Sequence, residues 1–107
     1  MVIYRAVSGE EYDDYMQDRV FRTATNTIEG KQFFRSKRAA QTFVRESQNQ
    51  GYMPPYTKIL TYEVAEDSLT RLPIDTQELD TFEAITVYQD DLPAFSNITN
   101  FDSEEDV

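Results

Sequence analysis

The chain has 107 residues, 20 acidic against 10 basic, with no histidine and no cysteine, for a formal net charge of −10. The two missing residue types exclude disulfide scaffolds, thiol catalysis, cysteine-ligated zinc, imidazole metal sites and every histidine-dependent triad. Any catalysis must rest on carboxylates, hydroxyls, Arg or Lys. The length suits one domain with a modest core, and 39% apolar residues are enough to fold it. Seven Tyr and seven Phe without Trp mean that single-ring aromatics build much of that core.

In chain order, Val2-Ile3-Tyr4-Arg5-Ala6-Val7 is a short apolar run with β-branched and aromatic members, a strand by length and composition. Arg5 is its odd member. A charge there either points to solvent from an edge strand or meets an anion or carboxylate. Ser8 and Glu11 have the capping-box spacing, and Tyr12, Tyr15 and Met16 share one face, so a helix is expected from about Gly9 to Asp18. Its acids, Glu10, Glu11, Asp13 and Asp14, suit the start of a helix and read as a solvated face rather than a metal site. Val20 and Phe21 make a short strand or anchor a loop. Gly30 then precedes a brief strand, Lys31-Gln32-Phe33-Phe34.

Ser36 is the second N-cap candidate. Ala39, Ala40, Phe43, Val44 and Ser47 follow with helical spacing and Gly51 supplies a stop, predicting a helix from about Lys37 to Asn49. Pro54-Pro55 forms a rigid connector to the strand Lys58–Val64, where Leu60, Tyr62 and Val64 share one face. Residues 67–80 read as a polar loop with one helical turn. Phe82–Tyr88 is the last clear strand, with Glu83, Ile85 and Val87 on one face. Leu92 to Phe95 and Ile98 are expected to pack back as a turn or strand, and 102–107, rich in acids, as a frayed tail. The expectation is one α+β domain over 1–101, a small mixed or antiparallel sheet with two helices, followed by an acidic flexible tail.

Tyr4-Arg5-Ala6-Val7-Ser8 before an acidic helix, and Glu29-Gly30-Lys31-Gln32-Phe33-Phe34-Arg35-Ser36 opening an Ala-rich helix, form a pattern that resembles the small ADP-ribosyltransferase-like proteins. These occur as bacterial toxin modules and as short proteins. The resemblance spans roughly residues 2 to 90 and implies that fold, with NAD as the cofactor and no metal. It makes Arg5, Phe34 and Ser36 the NAD-binding residues and Glu83 the catalytic carboxylate, with Glu78 as a rival. The chemistry implied is a cation for the diphosphate, a hydroxyl at a helix start and a carboxylate for the oxocarbenium-like state as nicotinamide leaves. Activity would be ADP-ribose transfer or NAD cleavage.

Thr81 stands where protein-modifying members carry Glu or Gln, and Lys37 follows Ser36 where Thr or Ser is usual. These departures set a second expectation: a non-enzymatic interaction protein, an inhibitor, antitoxin or phage-type anti-defence factor, whose acidic surface binds a basic protein. Mimicry of nucleic acid by the acids is a third. The acidic balance argues against nucleic-acid binding, and no stretch approaches the ~20 apolar residues of a membrane span, so a soluble cytoplasmic protein is expected. The basic cluster Lys31, Arg35, Lys37, Arg38 and Arg45 has three readings: a phosphate or nucleotide site, a counterweight to the first helix, or a dock for an acidic partner.

Overall fold

The computed structural model describes residues 1–21, 30–53, 55–65, 67, 75–79 and 82–107, with backbone alone at 30, 75–79, 82, 83 and 89. Strand β1, Val2–Ser8, leads directly into helix α1, Gly9–Asp18. Then come β2 (Gly30–Phe34), α2 (Lys37–Asn49), β3 (Tyr56–Val64), β4 (Asp75–Leu79) and β5 (Phe82–Tyr88). A 3-10 turn at Gln89–Asp91 precedes α3 (Leu92–Ile98) and β6 (Thr99–Asp106). Among the described residues the strands form one sheet in the order β4-β5-β2-β1-β3-β6, antiparallel at every pairing.

Strand alternation sorts the apolar side chains onto two faces. On one face Ile3, Val7, Phe33, Leu60, Tyr62, Val64, Ile85 and Val87 pack with Tyr15 of α1, Leu92 and Phe95 of α3, and Phe21. On the other, Ala6, Phe34, Ile59 and Ala84 pack with Ala39, Ala40 and Val44 of α2. The result is a central sheet with α1 and α3 on one side and α2 on the other. The first core is aromatic: Phe21 stacks on Tyr15 at 4.6 Å and meets Phe33 and Tyr62 edge-on at 5.2 Å. Phe21 is therefore a loop anchor, and its amide donates to Ser96 Oγ of α3 at 2.9 Å.

Both expected helices have the expected bounds, and the reason is local. Ser8 Oγ accepts from the Glu11 amide and Ser36 Oγ from the Ala39 amide, each satisfying one unpaired donor of the first turn. α2 ends in a Schellman motif: the Gly51 amide donates to Gln48 O and that of Tyr52 to Ser47 O, with Gly51 at φ 69. α1 instead ends on Arg19, a non-glycine residue at φ 61, whose guanidinium lies 4.3 Å from the Phe101 ring centroid.

The sheet takes the antiparallel of the two expected forms, and the structure departs from expectation in three places. A third helix, α3, stands where a turn or strand was expected, with proline in its first turn where the missing N–H costs nothing. β4 lies within the stretch read as a loop; its sequence, Asp-Thr-Gln-Glu-Leu, carries no apolar alternation, and pairing with β5 supplies the order instead. Residues 102–106 are no tail: they belong to β6, which pairs with β3 from Val64↔Thr99 to Lys58↔Asp106. Lys58 and Lys37 meet the acids that made this stretch look unfoldable.

Candidate functional site

β1 is an interior strand between β2 and β3, so Arg5 has no open edge from which to reach solvent. Its alternation places it on the α1 face, beside Phe33, whose ring centroid is 5.6 Å from the guanidinium carbon. α1 follows β1 without a linker, and its first turn returns Glu11 to that guanidinium. Arg5 Nε donates to Glu11 Oε2 at 2.5 Å and Nη2 to Oε1 at 2.7 Å, a bidentate pair. Nη1 donates to the Gln32 carbonyl at 2.9 Å. All three guanidinium nitrogens are therefore engaged within the chain.

Lys31 of β2 completes the cluster, its Nζ 3.3 Å from Glu11 Oε1. Its side chain is 8% exposed, against 12% for Arg5 and 21% for Glu11, so the two cations are sequestered and the carboxylate only partly so. Burial opposes the charge of each member. For Arg5 the Glu11 carboxylate outweighs it and the guanidinium is held above its ordinary value. Arg5 and Lys31 likewise outweigh burial at Glu11 and hold its carboxyl below the usual range. At Lys31, burial and repulsion from Arg5 win over Glu11, and the ammonium is held below its ordinary value.

Two other residues singled out by the resemblance, Phe34 and Ser36, belong to the opposite side of the sheet. Phe34 points to the opposite face from Arg5, 1% exposed in the α2-side core and 5.2 Å from the Phe43 ring. Ser36 caps α2, which packs on that same opposite face, so the sheet separates its helix from the Arg5 guanidinium. Glu83 lies in β5 with Glu78 of β4 directly across from it, and both side chains fall outside those described. Thr81 falls outside the described residues altogether. Among the described residues no three carboxylates are gathered as a metal-ligand set, and no helix is long and apolar enough to cross a membrane.

Glu11 and Lys31 were not singled out as a pair with Arg5 by sequence reasoning. The available signal was chemical: a charge inside an apolar strand needs a carboxylate, and the acidic helix begins next to it. Of the basic cluster, Lys31 does answer α1, whereas Lys37 answers Glu105 of β6 at 3.1 Å.

A second charged region lies at the sheet edge. Lys58 Nζ is 2.8 Å from Asp106 Oδ1 and 3.6 Å from Glu104 Oε2, and 5.1 Å from the Tyr12 ring centroid. The bond to Asp106 holds this lysine above its ordinary value. Two carboxylates share one ammonium, leaving a net negative charge, and Glu10 and Asp13 of α1 are exposed as well. A comparison of the chain with family models, curated proteins and solved structures returns no match.

Proposed function

We propose that this is a non-enzymatic interaction protein that binds a basic protein partner through its acidic surface, in the manner of an inhibitor, antitoxin or anti-defence factor. The observation that carries this reading is the engagement of Arg5. A guanidinium bonded through every nitrogen to Glu11 and Gln32 is a structural cation, and a diphosphate would have to displace a bidentate carboxylate to use it. β6 and the start of α1 present acidic residues to a partner, and a net −10 steers basic molecules toward the chain.

One feature favours the alternative, an ADP-ribosyltransferase-like domain binding NAD or a related nucleotide. Arg5 on the first strand and Ser36 at a helix start after β2 occupy the elements that the resemblance implies. A single thermal-shift series separates the two. Saturating NAD is expected to leave the melting temperature unchanged, while a polylysine chain shifts it at low salt and not at high salt. A rise with NAD accompanied by release of nicotinamide would replace the interaction reading with the nucleotide one.

A further inference from the structure

The geometry points to addition of a partner's extended, Lys- or Arg-bearing strand to the outer edge of β6, with cations at alternate positions facing Glu104 and Asp106. This rests on the interaction reading above and goes further by naming the edge, the backbone bonds and the spacing. Among the described residues the sheet ends at β6 on one side, and this strand has eight residues and no proline. The Val107 amide donates to Thr57 O at 3.1 Å, and Lys58 stands opposite Asp106. In an antiparallel ladder, facing residues alternate between bonded and non-bonded pairs. The amides and carbonyls of Ser103, Glu105 and Val107 therefore turn toward β3, and those of Glu104 and Asp106 turn outward.

An edge of this length invites pairing and is guarded by charge and bulging. Here the bulge is at Asp102, between the Thr61↔Ser103 and Tyr62↔Phe101 pairs, and the charges are Asp102, Glu104, Glu105 and Asp106. Those charges decide the occupant. Two copies meeting edge to edge would set carboxylates against carboxylates, and like charges directly opposite are destabilising, whereas opposite charges attract. A cationic strand fits where a second copy does not. Its backbone would supply affinity at the outward groups of Glu104 and Asp106, and its alternate side chains would supply selectivity.

The test uses the full chain with two short synthetic peptides of Thr and Val, one carrying Lys at alternate positions and the other Gln. Hydrogen exchange is followed residue by residue. The Lys peptide is expected to slow exchange at the Glu104 and Asp106 amides, and the Gln peptide is not. Glu104→Pro, which removes an outward donor and the Lys58 ion pair but no backbone bond to β3, is expected to abolish binding. Glu104→Gln keeps the backbone edge and is expected to weaken binding by about threefold, with the cross-strand charge attraction lost. Should Glu104→Pro fail to fold, Glu104→Gln and the Gln peptide decide. Salt-sensitive binding of the Lys peptide with unchanged exchange at residues 104 and 106 overturns strand addition and leaves the basic-partner reading standing. Failure of both the Lys peptide and polylysine to bind overturns the basic-partner reading itself. Protection of the same amides without peptide, together with a dimer in sedimentation, makes a second copy the occupant and overturns the proposal.

Discussion

Glu11 faces Arg5 at 2.5 and 2.7 Å and Lys31 at 3.3 Å, in a place where both cations are cut off from bulk water. Glu11→Gln leaves them without a counter-charge. The expected loss is about 3 kcal/mol, the low end for a broken buried pair because Glu11 keeps some solvent contact, measured by urea unfolding. The same group sets a pH dependence. Its folded value lies below the ordinary 4.5, so the unfolded chain binds the proton more readily. Its contribution is present in full above the unfolded value and is lost as pH falls through the folded one. Glu11→Gln therefore flattens the acid limb of a stability–pH profile. On the alkaline side the shifted groups act with both signs. Lys31 is held below 10.5, so the folded chain sheds its proton first and stability rises between those values. Tyr56, half-buried and beside Tyr52, is pushed up to about 12 and has the opposite sign, losing stability between 10 and 12. Lys31→Met should steepen the alkaline decline by removing the gain alone.

Among the elements, α2 offers the sharpest test of what Ser36 does. Ser36→Ala removes the bond to the Ala39 amide and should cost about 1 kcal/mol. Ser36→Asp should restore stability, since aspartate caps as well and suits the helix dipole, whereas at a phosphate-binding position it would repel the ligand. Denaturant midpoints for the three proteins, with and without NAD, check both statements. α1 and α2 were legible in the sequence because a serine cap and a helical apolar period agree in each. β3 and β5 were legible through alternation, and the faces assigned to Leu60, Tyr62 and Val64 are those observed. α3, β4 and β6 were not. α3 is seven residues long, with a proline near its start, and β4 and β6 are polar strands whose order comes from neighbours distant in the chain. The Arg5–Glu11 pair was half legible: the need for a carboxylate could be read from an arginine inside an apolar strand, but not which of four nearby acids would meet it. That choice depends on the angle at which α1 leaves β1.

For the whole molecule, the sheet order has two readable consequences. β6 covers one side of β3, so removing residues 102–107 should lower stability, with each ladder hydrogen bond lost netting about 1 kcal/mol. An unchanged urea midpoint would instead describe a free tail. The second consequence concerns time. β1, at the start of the chain, lies in the middle of the sheet, with Val2 opposite Glu63. Nothing formed by the first turns of chain can complete that pairing; even its nearest pair, Ser8 with Tyr56, closes a loop of about fifty residues, an entropic toll levied before the contacts reward it. Refolding should therefore be limited by such long-range meetings, that of β1 and β3 among them. Ile3→Val and Leu60→Ala are expected to slow the folding arm of a chevron, while Phe101→Leu, at the late-joining edge, mainly quickens unfolding. The central strand waits for a neighbour as distant in the chain as β5 is from β2, and until β3 arrives one edge of β1 has no partner.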